Sequence, residues 1–151
     1  MSDHYIELIP QVPAFVPIQE AISKSVRLLE EIAPKAATVT ADVSQDIKFR
    51  DCGGNFESVS CPECGTPLST GWWSARMSDD YDGKGFLLSA LTLPCGHGVS
   101  SLNYLKYEME QGFSKFVLRA ANPNIGVLNP PQFAVLEESL GCKLRIIYRH
   151  I

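Results

Sequence analysis

Two short segments carry the residue types that bind metal. Cys61-Pro62-Glu63-Cys64-Gly65 sets two thiols three positions apart, with a proline inside the turn and a glycine behind it. Two thiolates at that spacing can grip one ion from a single tight turn. The proline fixes φ, and the glycine lets the chain fold back so that amides point at sulfur. Thirty residues further on, Pro94-Cys95-Gly96-His97-Gly98 offers a sulfur and an imidazole between glycines. Cys61, Cys64, Cys95 and His97 together make a Cys3His set, a common closed tetrahedral shell for Zn2+.

Other readings of these residues are weaker. A redox C-x-x-C needs a helix N-terminus to depress a thiol pKa, whereas this one follows a predicted strand, and Cys95 and His97 would be left without a role. Burial of Cys61 and Cys64 as small apolar groups does not account for the proline and glycine around them. The rival for the fourth ligand is Cys52, in a glycine-rich turn with eight residues between it and Cys61. Cys142 reads as a core thiol, and His4 and His150 read as surface residues.

A catalytic zinc keeps an open position beside a proton-transferring group. The chain has no H-E-x-x-H and no deaminase pattern of H-x-E followed by P-C-x-x-C. The expectation is a structural Zn2+ with no catalytic residue. The alternative is a zinc-dependent hydrolase or transferase using the ion or the acidic group Asp79, Asp80 and Asp82. Asp80-Tyr81-Asp82-Gly83 fails as a calcium loop, because its twelfth position is Leu91 rather than glutamate. Trp72-Trp73 reads as one ring in the core and one partly exposed.

The elements that must position these residues suit an α+β fold: a mostly antiparallel sheet, two main helices and a zinc-ribbon-like metal site. Residues 1–16, with Pro10, Pro13 and the apolar residues among them, read as an extended or polyproline-like lead-in that lies against the body of the protein. A helix starts near Pro17, with Ile18, Ile22, Val26, Leu29 and Ala33 in one stripe, and stops before Pro34. Ile47 to Arg50 and Phe56 to Val59 read as a hairpin around Asp51-Cys52-Gly53-Gly54, with Glu57 facing Lys48 or Arg50. Trp72, Trp73 and Met77 fit the inner face of a short helix. Phe86 to Leu93 reads as a buried central strand, and Phe116 to Ala120 as another strand. Residues 100–114 are ambiguous, with a lean towards extended structure. Asn129 caps a helix from Pro130, with Gln132 in the capping-box position and Gly141 as terminator. A strand follows from Lys143 to His150. The 151 residues fit one domain, made of the lead-in, a zinc-ribbon-like part at 46–98 and a strand-helix-strand part at 99–151.

Composition limits the function classes. With 13 basic and 17 acidic residues the net charge is −4, which argues against nucleic acid as a partner. No apolar run approaches the roughly 20 residues of a membrane helix. The start of the chain lacks the pattern of a secretory signal, and five cysteines with a C-x-x-C suit metal ligation in a reducing cytoplasm.

The Cys61–Gly65 knuckle, the tryptophans after it, Pro94-Cys95, the run Ser101-Leu102-Asn103-Tyr104-Leu105, Gly112-Phe113, Asn122-Pro123 and the ending Leu140-Gly141-Cys142-Lys143-Leu144-Arg145 are similar to a group of small, uncharacterised bacterial zinc-ribbon proteins. The resemblance spans roughly residues 55–151. It implies zinc and a bacterial cytosol, and it transfers no mechanism. In that group the second knuckle tends to carry adjacent cysteines where this chain has Cys95-Gly96-His97, which leaves the fourth ligand open between His97 and Cys52. The expected role is a non-enzymatic module that binds another protein, with an immunity-type, toxin-neutralising protein as the concrete version.

Overall fold

A computed structural model of the chain describes residues 2–151. In chain order the elements are β1 (His4–Pro10), α1 (Gln19–Ile32), β2 (Thr38–Arg50), β3 (Ser58–Ser60), β4 (Pro67–Leu68), α2 (Thr70–Asp80), β5 (Leu91–Thr92), β6 (Val99–Ser100), β7 (Lys106–Glu108), β8 (Gly112–Ala121), α3 (Pro130–Leu140) and β9 (Leu144–His150). A 3-10 turn over Leu102–Tyr104 precedes β7. The fold is α+β, with antiparallel sheets and three α-helices among the described residues.

The main sheet has the order β2-β8-β1-β9, antiparallel throughout. Of the two conformations expected for the lead-in, His4–Pro10 takes the extended one, as β1 in the sheet interior. Ile6, Leu8 and Ile9 are buried together with Glu7. A strand covered on both faces reads as a continuous apolar run, and the prolines do not interrupt it, since Pro10 ends the strand and Pro13 lies beyond. α1 and α3 cover one face. Ile22 and Leu29 of α1 and Leu136 and Leu140 of α3 pack with Ile6, Leu8, Phe116, Leu118 and Leu144. Ser25 and Ser139 pair across the two helices at 2.8 Å. Both helices follow their local signals. Asn129 and Gln132 form the reciprocal capping box, and Gly141 closes α3 at φ +75°. α1 starts two residues inside Pro17, leaving Ile18 exposed just before it.

The opposite face carries charge. Glu7 and Arg119 are directly opposed on β1 and β8, and their side chains form an ion pair. Arg119 also reaches Asp42 at 3.4 Å. Arg50 donates to Ser44, Ser114 and the Lys115 carbonyl. Burial, and then the nearby Arg119 charge, lower the Arg50 pKa from its ordinary value.

The expected hairpin of Ile47–Arg50 with Phe56–Val59 does not form. Lys48 to Arg50 extend β2 along Ser114 to Gly112 of β8. Gly53 instead bridges His150, and Gly54 donates to the His150 carbonyl at 2.7 Å. The alternation of Ile47 to Arg50 marked a strand correctly but could not name its partner. β3 pairs with β4 and β7 in a second sheet of order β4-β3-β7. Phe86 to Leu93 is not a central strand either. Phe86 donates to the Ile47 carbonyl, Leu87 is 64% exposed, and Leu88 sits at φ +55°. Asp80, buried at the end of α2, accepts from Leu88 N (2.7 Å) and Ser89 N (2.9 Å), so its carboxylate fixes this irregular segment.

A second core lies between the small sheet, α2 and β8. Val59, Cys61, Leu68, Leu93, Leu102, Leu105, Tyr107 and Phe113 are buried there, and the Trp72, Trp73 and Met77 face of α2 packs against them. Trp73 stacks on Phe56 (centroids 5.4 Å apart, 15° between planes) and donates through Nε1 to the Tyr107 hydroxyl at 3.1 Å. That hydroxyl donates to the Leu102 carbonyl at 2.6 Å. Tyr107→Phe leaves both partners unpaired in the interior and is expected to cost about 1–3 kcal/mol in urea unfolding. Burial pushes the Tyr107 pKa above its ordinary value. Folding thus favours the neutral phenol. This contribution is intact below the ordinary tyrosine pKa of about 10 and is lost as pH climbs beyond it. The variant should therefore lose stability less steeply with alkali than the parent.

Candidate metal centre

Two hairpin turns build the centre. The first joins β3 to β4. Cys61 N donates to the Thr66 carbonyl and Gly65 N to the Cys61 carbonyl, both at 2.9 Å. This closes a turn in which Glu63 N and Cys64 N approach Cys61 Sγ at 3.4 and 3.5 Å. Gly65 at φ +73° makes the reversal that a side chain would resist. The second turn joins β5 to β6. Leu93 N donates to the Gly98 carbonyl at 3.2 Å and Gly96 N to the Leu93 carbonyl at 3.0 Å, which presents Cys95 towards the first turn.

The sulfurs of Cys61, Cys64 and Cys95 all lie within 4.8 Å of one another. Three thiolates on a tetrahedral Zn2+ at about 2.3 Å would stand roughly 3.8 Å apart, so a contraction of about 1 Å at most would bring the sulfurs to that spacing. Cys61 is buried in the second core, Cys95 is half-buried at its edge and Cys64 is exposed.

The electrostatics favour a cation. The Thr66 side chain and then its backbone hydrogen-bond to Cys64 and lower its pKa to about 6; the Thr66 hydroxyl lies 3.0 Å from the sulfur. At Cys95 the His97 backbone N–H favours the thiolate, yet partial burial and the Cys61 and Cys64 sulfurs outweigh it and raise the pKa. Three thiols this close cannot all ionise comfortably without positive charge among them. The donor set is soft and sulfur-rich, which suits Zn2+ over hard cations such as Ca2+ or Mg2+.

The other candidates lie as follows. His97 is exposed on the second turn, and its ring nitrogens are not among the donor atoms within 4.8 Å of all three sulfurs. Cys52 is outside the cluster. It is buried with Ile9, Val117 and Ile147, and its thiol approaches Gln111 Oε1 at 3.4 Å. Burial raises the pKa of Cys52, and that of Cys142 to about 11. Asp79, Asp80 and Asp82 do not converge: Asp79 pairs with Arg76 at 2.9 Å, Asp80 holds Leu88 and Ser89, and Asp82 accepts from Lys84 N and Gly85 N, both at 2.9 Å. Sequence reasoning missed Thr66, whose position two residues after Cys64 was the available signal.

These observations define a class: an α+β protein whose Cys61, Cys64 and Cys95 could bind a metal ion such as zinc. Comparison with known protein families, curated proteins and solved structures finds no match, so the similarity to zinc-ribbon proteins rests on motifs alone. Among the described residues, no helix is long and apolar enough to cross a membrane.

Proposed function

We propose that this is a zinc-binding protein of the bacterial cytoplasm in which the ion is architectural, and that it acts without catalysis by binding another protein. The observation that carries the metal reading is the convergence of three thiols from two turns some 30 residues apart. Cys61 belongs to the second core, so an ion there joins the β3–β4 turn to the β5–β6 turn and stabilises only the folded chain. His97 is the fourth ligand in this reading: it lies two residues from Cys95 on an exposed turn, where its ring can swing to the ion. The partner is a protein, with a toxin neutralised by an immunity-type interaction as the concrete version. Nucleic acid and membrane are not its targets. The small size and acidic charge fit this role.

One observation favours a second reading. Three grouped donors beside an exposed Cys64 are also the starting point of an open, catalytic zinc, which would serve a hydrolase or transferase. Cobalt substitution separates the two. A structural centre gives a four-coordinate, sulfur-rich spectrum that small anions leave unchanged, and His97→Ala alters that spectrum. A spectrum that shifts with added anions and ignores His97→Ala would assign the fourth position to solvent and favour the enzyme.

A further inference from the structure

We infer that His4 and His150 form a second cation site, a two-imidazole chelate for a divalent transition cation of borderline softness such as Ni2+, Cu2+ or Zn2+. The two residues are 146 positions apart in sequence, yet they are directly opposed on β1 and β9. Their rings stack with centroids 4.4 Å apart and planes 6° from parallel.

The strand pairing explains the proximity. In an antiparallel ladder, opposed residues alternate between hydrogen-bonded pairs and closer pairs with no mutual hydrogen bond. Asp3 and Ile151 exchange both backbone bonds, at 2.6 and 3.0 Å. His4 and His150 are next along the ladder and form the close type. Their own backbone groups turn outward: His4 N donates to Asn122 Oδ1 at 3.0 Å, and His150 N donates to the Cys52 carbonyl at 3.2 Å. Both main chains are thus pinned on each side while the two rings face one another.

The chemistry fits a cation. Imidazole suits Ni2+, Cu2+ and Zn2+, and the paired strands hold the two Cα positions together, so only side-chain rotation is left to order on chelation. The surrounding charge does not oppose it. Asp3 lies one residue away, bonded to Asn122. Arg149, beside His150, is turned to Asp51 at 3.2 Å and over the Tyr5 ring. His4 is exposed and His150 half-exposed, so water and metal can reach the rings; in the stack their in-plane nitrogens do not converge, and binding in this proposal rotates both rings about their side-chain bonds so that one nitrogen of each meets the ion.

The test is a Ni2+ titration of protein given one equivalent of Zn2+, which three thiolates take in preference to two imidazoles. Ring resonances are followed by NMR and the thermal midpoint by calorimetry. The expected result is joint broadening of the His4 and His150 rings at sub-stoichiometric Ni2+. A metal-dependent rise in midpoint should accompany it, and at least a tenfold loss of affinity in His4→Gln and in His150→Gln separately. Equal loss from either substitution is the signature of a chelate. Broadening of only one ring, or a loss below twofold in either variant while both remain folded by circular dichroism, would overturn the site.

Discussion

Cys61→Ser is expected to lose the bound zinc and the cooperative thermal transition together. The substitution removes one thiol of the candidate metal cluster that is also a wholly buried member of the second core. Structural zinc contributes folding free energy outright, with apparent binding values of about 10–16 kcal/mol in small zinc domains. Losing one thiolate of three gives up a large part of that, and the serine hydroxyl is left among Val59, Leu93 and Phe113 with no ion to face. Metal analysis of the purified variant and calorimetry measure both effects. A strong chelator applied to the parent protein should imitate the substitution, and added Zn2+ should reverse the chelator effect only. Full metal content with an unchanged melt in Cys61→Ser would refute the architectural ion.

Arg119→Ala is the second large effect. It strands the Glu7 carboxylate, which is 2% exposed, in the sheet interior. Breaking a buried ion pair by removing one partner costs about 3–5 kcal/mol, because a buried charge is left uncompensated. That is a large share of the roughly 5–15 kcal/mol that holds a domain together. Asp42 is 63% exposed on the other side of Arg119, so Asp42→Ala should cost less than about 1 kcal/mol. Replacing both partners, as in Glu7→Leu with Arg119→Met, should recover most of the loss. Urea unfolding of the four proteins measures the series. A loss below about 1 kcal/mol in Arg119→Ala would show that water or Arg50 already compensates Glu7.

What the sequence made legible was local. The stripe of α1, the capping box of α3 and the alternation of β9 each lie within one short stretch of chain and survive in the fold. The metal turns were legible for the same reason, since proline and glycine specify a knuckle wherever it sits. Partners were not legible. Ile47 to Arg50 announced a strand, but its pairing with residues 112–114 depends on contacts far along the chain. Pro10 and Pro13 hid β1, because a proline at a strand end looks the same in sequence as one in a polyproline segment. Phe86 to Leu93 has the apolar content of a central strand, but the buried Asp80 carboxylate captures two of its amides and the backbone turns aside. His4 and His150 gave no signal of proximity, because nothing local places them together.

The position of β1 between β8 and β9 bears on how the chain reaches its native state. Tyr5 pairs with Ala121, 116 positions away, and His4 with His150. Closing loops of that length is entropically slow, and proteins dominated by such pairings fold in milliseconds to seconds rather than microseconds. Until β1 docks, β8 presents a bare backbone edge lined by Val117 and Leu118, a template for pairing with another molecule. Refolding yield should therefore fall as protein concentration rises, even when the final product is fully stable.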